Sequence, residues 1–234
     1  MSTSLVRYEQ TAGIAAITMD DGKANALSGE MMDAVEQALE RAEKEASAVV
    51  LAGRPGRFCA GFDLKQMMAG AEQARALLTR GADFLMRLYG FPLPLVIACT
   101  GHALAGGALL VLTGDLRIAA AGAFRIGLNE VQIGLPIPIL AMEMARDRLR
   151  PEHLTAATLF ATVSEPEVAR AAGWLDEVVE DAALHAKAAL HAKRLAELPR
   201  DAYTKTKTVL RERTIRYTRE TAASDMVRLT PQGT

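Results

Sequence analysis

The chain has 234 residues, 50% of them hydrophobic and 24% charged, with a formal net charge of −1. That is enough apolar material for one sizeable core, with or without a helical appendage, and too much for a disordered segment. The near-neutral balance excludes nucleic acid or an anionic membrane as a main partner on bulk electrostatics, although local basic clusters can still hold a small phosphorylated ligand.

The two cysteines, Cys59 and Cys99, share no CxxC or Cys/His spacing, so reduced core thiols are expected rather than a disulfide or metal site. The N-terminal residues lack the pattern of a secretory leader, and no apolar run approaches the ~18 residues of a membrane span. A soluble, cytoplasmic protein is expected.

Ile14–Met19 is short, apolar and partly β-branched, and predicts a strand. Ser28 is a candidate N-cap for a helix with Met31, Val35, Leu39 and Ala42 on one face, its Glu36, Glu40 and Lys44 face solvated. Ala48–Leu51 predicts a buried strand, followed by a loop through Gly53 to Gly56. Residues 64–89 predict a helix in two pieces joined near Gly81. Leu95–Cys99 predicts another strand, and Gly106-Gly107 opens an apolar helix. Short strands at Asp115–Ala119 and Ala123–Ile126 precede helical pattern over 136–162. A late strand at Leu175–Val179 leads into basic helices over 181–228. Alternating strands and helices followed by helices alone predict an α/β core with a largely parallel sheet and an α-helical C-terminal part. The composition shift near residue 180 divides a 1–180 core from a 181–234 helical region.

Two segments place small residues where a strand ends and a helix begins. One is Arg57-Phe58-Cys59-Ala60-Gly61-Phe62-Asp63-Leu64; the other is Gly101-His102-Ala103-Leu104-Ala105-Gly106-Gly107. Each leaves backbone N–H groups unpaired at a helix start, where an anion or a developing oxyanion is favoured. Converging on one point, the two would form an oxyanion hole. Tight turns in which glycine merely relieves crowding have the same appearance. A dinucleotide-binding loop is not supported, because the G-x-G-x-x-G spacing and the later acidic residue are missing.

At these loops the chain resembles the crotonase (enoyl-CoA hydratase/isomerase) superfamily. The matching stretches are Phe58 to Leu64, Gly101 to Gly107, Asp115-Leu116-Arg117-Ile118-Ala119 and Ala24-Asn25-Ala26-Leu27, and the resemblance covers residues 5 to 225 or so. It implies a spiral of ββα units with an α-helical C-terminal region, usually assembled as a homotrimer or a dimer of trimers. It implies an acyl-CoA substrate whose thioester oxygen accepts two backbone N–H bonds, here those of Phe62 and Gly106. Lys23, Ala24, Ala60, Gly61, Phe62, Asp63 and Leu64, with Gly106, Gly107 and Leu109, would line the substrate path. No cofactor beyond the coenzyme A of the substrate is implied, and no metal.

Hydratases of that superfamily use two glutamates. The first matches Leu109 here, which can neither activate water nor donate a proton; the second matches Glu130 in Ile126-Gly127-Leu128-Asn129-Glu130. Moving a double bond from the 3 to the 2 position needs one base, which a lone carboxylate in an apolar pocket can supply. The stretches 105–113 and 126–130 resemble the mitochondrial-type delta-3,delta-2-enoyl-CoA isomerases, so isomerisation with Glu130 as acid and base is expected. A hydratase, or a non-catalytic acyl-CoA-binding protein on the same fold, is the alternative. Asp63 reads as a helix cap, His102 as a packing residue, and His185 and His191 lack metal-ligand spacing. Arg54, Arg57 and Lys65 could meet CoA phosphates or be plain surface. Lys205, Lys207 and Arg211 could reach a CoA within a trimer, and Met67, Met68 and Met86 suit either an acyl pocket or core. Relatives often add a final amphipathic helix over the acyl pocket. Since the chain ends at Thr234, this reading leaves the pocket open or closed by a neighbouring subunit.

Overall fold

Strand β1 (Val6–Thr11) and strand β2 (Ile14–Met19) form an antiparallel hairpin in a computed structural model that describes residues 4–229. Helix α1 (Gly29–Glu45) follows. Its Ser28 N-cap accepts a hydrogen bond from the Met31 N–H, and Met31, Val35, Leu39 and Ala42 face inward, as 3.6-residue spacing requires. Glu36 departs from expectation, because it is part-buried and ion-paired with Arg80.

Three turns of one pattern then build the centre: a strand of a large sheet, a strand of a small sheet, and a helical segment. The first is β3 (Ala48–Ala52), β4 (Gly56–Cys59), then α2 (Leu64–Met67) and α3 (Ala71–Tyr89). The second is β5 (Leu95–Cys99), β6 (Gly101–Leu104) and α4 (Gly106–Leu112). The third is β7 (Leu116–Ala120) and β8 (Ile126–Gly127), leading through a 3-10 turn to α5 (Ile139–Arg148). Helix α6 (Pro151–Thr158), α7 (Pro166–Ala172), strand β9 (Glu177–Val179), α8 (Leu184–Ala196) and α9 (Arg200–Leu229) complete the described chain.

The large sheet runs β1-β2-β3-β5-β7-β9 and is parallel from β2 onward; the small sheet, β4-β6-β8, is parallel throughout. This is the ββα spiral with a helical C-terminal region that the motifs implied. Successive side chains of a strand point to opposite faces. Val49, Leu51, Leu95 and Ile97 therefore enter a core shared with α1, α3, α4 and α5, while Ala48, Val50, Val96 and Ala98 pack against Leu184, Ala188 and Ala192 of α8.

Three expectations need correction. The helical break in 64–89 falls at Gly70, and Gly81 is buried inside α3; a glycine there costs about 1 kcal/mol of helix stability against alanine. The segments around Arg57 and His102 expected as loops are in part strands β4 and β6, short enough that no periodicity shows. Lys207 and Arg211 do not reach outward. Both are buried, and their Nζ and Nη2 each lie 2.7 Å from an Asp115 carboxylate oxygen.

Candidate active site

Two strand-to-helix corners define the site. The first, between β4 and α2, is pinned by Leu27, whose N–H donates to the Gly61 carbonyl (2.8 Å) and whose own carbonyl accepts from the Asp63 N–H (3.3 Å). A residue flanked this way in a parallel bridge turns its own N–H away from the partner. That residue is Phe62, and its N–H meets no acceptor among the described residues.

The second corner, between β6 and α4, is turned by Ala105 at φ 50 and ψ −123, a sparsely populated conformation for a side-chain-bearing residue. It persists because the Ala105 N–H donates to the Gly127 carbonyl (3.0 Å) and its carbonyl accepts from Ala108 (2.9 Å) and Leu109 (3.1 Å). Gly106 follows as the first residue of α4, so its N–H has no intrahelical acceptor. The corners touch. Gly61 has φ +95, and a Cβ there would lie 3.0 Å from the Leu104 carbonyl oxygen and 3.2 Å from the Gly106 nitrogen. Gly107 packs onto β4 so tightly that its Cβ would fall 2.0 Å from the Cys59 carbonyl oxygen.

Beside them lies a cavity of about 330 Å³. Ala60, Phe62, Ala105 and Leu109 come from the two corners, and Asn129 and Glu130 from the segment after β8. Helix α3 contributes Leu78, Thr79, Ala82 and Asp83, and the last turns of α9 contribute Thr218, Ala222, Asp225, Met226 and Leu229. The Glu130 backbone is fixed, its carbonyl accepting from the N–H groups of Ile133 (3.0 Å) and Leu135 (2.9 Å). Its carboxyl is largely buried, with Oε2 lacking a hydrogen-bond partner. Burial raises its pKa above that of an ordinary glutamate, against the backbone N–H groups of Glu130 and Asn129, which lower it. Leu109, only 1% exposed, keeps its part of the wall apolar. Such an arrangement can bind a carbonyl oxygen at two N–H groups and move a proton nearby in a dry environment.

A family model described as enoyl-CoA hydratase/isomerase matches residues 9–230. The chain belongs to the enoyl-CoA hydratase/isomerase family. Members similar to it carry both names. The mitochondrial enoyl-CoA delta isomerase 1 of Rattus norvegicus is 31% identical over 90% of this chain and 74% of its own length. The crystal structure of an enoyl-CoA hydratase/isomerase family protein from Pseudomonas syringae is 39% identical, with a TM-score of 0.94, covering 96% of this chain and 98% of that one. An enoyl-CoA hydratase from Mycobacterium marinum is 36% identical, with a TM-score of 0.91, covering 96% and 99%.

Within this family member, Ala60, Phe62, Leu64, Leu109 and Glu130 meet at one cavity. Gly61, Gly106 and Gly107 shape the corners behind it. Asp63 caps α2, accepting from the Gln66 N–H at 2.9 Å. Lys23 and Ala24 stand beside the first corner, not on the cavity wall. The Ala24 carbonyl accepts from the Ala60 N–H (3.0 Å), and the Lys23 carbonyl accepts from Arg54 (2.7 Å). Met67 lines the cavity, Met86 is core and Met68 is exposed. His102 accepts from the Arg125 N–H at 3.1 Å, and His191 pairs with Glu177 at 2.8 Å.

The expectation of a pocket left open or closed by another subunit did not foresee that α9 of this same chain supplies part of the wall. Sequence reasoning missed that wall because residues 181–228 were read only as basic helices, and Ala222, Met226 and Leu229 were not picked out. Their spacing of four and three residues was the signal available. Asp83 was missed too, lying on a helix read only for its extent and its break.

Proposed function

We propose that the chain is an isomerase that moves the double bond of a 3-enoyl-CoA to the 2 position. Glu130 is its single acid/base, and the Phe62 and Gly106 N–H groups form the oxyanion hole. The observation that carries this reading is the wall around Glu130, a largely buried carboxylate in a cavity where the buried Leu109 stands at the position that the resemblance matches to a hydratase's first glutamate.

In this mechanism the Glu130 carboxylate removes a C2 proton. The electron pair left at C2 delocalises onto the thioester oxygen, giving a dienolate whose charge the two N–H groups hold. The same carboxyl, now protonated, returns its proton at C4, so that C3–C4 becomes single and C2–C3 double. Each well-placed hole donor typically contributes ~3–4 kcal/mol to the transition state. Desolvation serves the base, because a raised pKa brings its proton affinity nearer that of the carbon acid. Ala60–Leu64 and the Lys23-Ala24 loop carry the CoA portion, with no cofactor beyond the coenzyme A of the substrate. Assembly as a homotrimer or a pair of trimers belongs to the same reading.

The test is a pair of assays on the purified protein, following the absorbance of the conjugated thioester. Gain of absorbance from a 3-enoyl-CoA with negligible loss from a 2-enoyl-CoA is expected. Rapid loss from the 2-enoyl substrate would sink the isomerase reading in favour of hydration.

One observation favours that second reading enough to name it: Asp83 also lines the cavity. The other wall carboxylate among the described residues, Asp225, is held by Arg228 and the start of α5. Hydration abolished by Asp83→Asn would identify Asp83 as the missing second acid.

A further inference from the structure

Gly81 has no conformational reason to be glycine, since it lies mid-helix in α3 and its φ is not positive. The reason is spatial. A Cβ on Gly81 would lie 2.1 Å from Cε1 and 2.5 Å from Cζ of the Phe62 ring. The opposite edge of that ring rests on Gly106, whose Cβ would lie 3.1 Å from Cε2 and 3.2 Å from Cδ2. One aromatic ring is thus seated between two bare stretches of backbone, one inside α3 and one at the start of α4. A ring displaced from Gly81 moves either onto Gly106 or out into the cavity that it lines. Leu27 bonds the Gly61 carbonyl and the Asp63 N–H on either side of Phe62, while the Phe62 N–H itself meets no acceptor among the described residues, so the seat of the ring is what remains to set its tilt.

We infer that Gly81 is a positioning residue for the oxyanion hole: its missing side chain seats the Phe62 ring against Gly106, and the seated ring sets where the Phe62 and Gly106 N–H groups point. The inference rests on the proposed role of those two groups. An alanine at Gly81 must push the ring toward Gly106 or out into the cavity, and either movement shifts the N–H pair relative to a bound carbonyl. Helix propensity alone makes the opposite prediction, because alanine at a mid-helix position with room to spare is stabilising.

The test uses bound octanoyl-CoA, a saturated thioester that cannot isomerise or hydrate, with the carbonyl stretch read by difference infrared spectroscopy. In the unaltered protein, two N–H donors should move the thioester stretch to lower frequency. Gly81→Ala should abolish most of that displacement and lower kcat by roughly 100-fold, the scale of misplacing a hole donor and the low end of losing one. In a Phe62→Leu background, where Cε1, Cε2 and Cζ are gone, the same Gly81→Ala change should have no further effect on the stretch.

Gly81→Ala with an unchanged stretch and turnover would overturn the inference while leaving the hole itself intact. Equal further losses from Gly81→Ala with and without the Phe62 ring would overturn it too, since the effect would then come from α3 alone. An undisplaced stretch in the unaltered protein would overturn both the inference and the reading of the hole. If Gly81→Ala fails to fold, the double variant decides. Folding of Gly81→Ala/Phe62→Leu would place the clash at the ring, and its failure to fold would place it elsewhere and sink the idea.

Discussion

Glu130 makes opposite demands on catalysis and on stability. A base must be ionised to work, and burial raises the pH at which this carboxyl ionises. The acid limb of kcat/KM should therefore fall at a higher pH than an exposed glutamate would give. A limb at the ordinary glutamate value would assign the base elsewhere. For stability the sign follows from proton binding. A carboxyl whose folded pKa is raised binds more protons folded than unfolded, so its contribution is fully present below the unfolded pKa and is lost as pH rises through the folded one. Glu130→Gln removes the charge while nearly preserving shape. It should abolish turnover, spare CoA binding, and raise Tm at pH 7 by about 2–4 °C, the shift of ~1 kcal/mol in a domain this size. The gain in Tm should vanish near pH 4. Thermal melts at the two pH values, with a single-turnover assay, check all three, and surviving turnover removes Glu130 from the mechanism.

Helix α9 joins stability to the acyl pocket through Asp225. Pro138 at the N-cap of α5 has no side chain able to cap, and Asp225 supplies the acceptor from another helix, its Oδ2 taking the Ile139 N–H at 2.6 Å. Arg228 donates to the other carboxylate oxygen (2.6 Å) and to the Ile137 carbonyl (2.7 Å). The final turns of α9 are thereby tied over the cavity they line. Asp225→Ala removes a cap and strands Arg228, an expected loss of ~1–2 kcal/mol. It should weaken octanoyl-CoA binding while leaving binding of free CoA nearly unchanged, as titration calorimetry of both would record; equal weakening of the two would detach Asp225 from the acyl end. The same helix marks where sequence reasoning stops at this scale. Lys207, Arg211, Thr214, Thr218 and Asp225 recur at helical spacing on its inward face, yet they are polar, and a search for apolar periodicity passes over them. Helix α1 was legible for the opposite reason, since its inward residues are Met31, Val35, Leu39 and Ala42. Strand β1 escaped because VRYEQT is an edge strand with little buried surface.

Across the whole molecule, the strands of the large sheet from β2 onward, most helices and the two corners were readable because each is set by chain-local chemistry, β-branched runs and glycines before helices, whereas Glu130 was picked out through the resemblance of the stretch Ile126 to Glu130. What could not be read was the joining of distant segments. The cavity combines residues from 60 to 229, and the device that docks α9 is a buried ion cluster spread over several elements. Asp115 accepts from the Leu95 N–H (2.8 Å) and binds both Lys207 and Arg211. Lys207 also donates to the Leu93 carbonyl (3.2 Å), while Arg211 donates to the Tyr89 (2.6 Å) and Thr113 (2.9 Å) carbonyls and lies over the Tyr89 ring. One carboxylate balances two cations, all with little solvent, so the cluster is far costlier to break than to replace. Asp115→Asn keeps the shape and strands both cations, an expected loss of about 3–5 kcal/mol, or roughly 6–20 °C in Tm at this chain length. Adding Lys207→Met should recover part of that loss by removing one stranded charge, although it deletes another hydrogen bond. A scanning-calorimetry comparison of the two variants decides between charge and contact: recovery assigns the cost to uncompensated burial of the ammonium, and a further drop assigns it to the lost Leu93 contact.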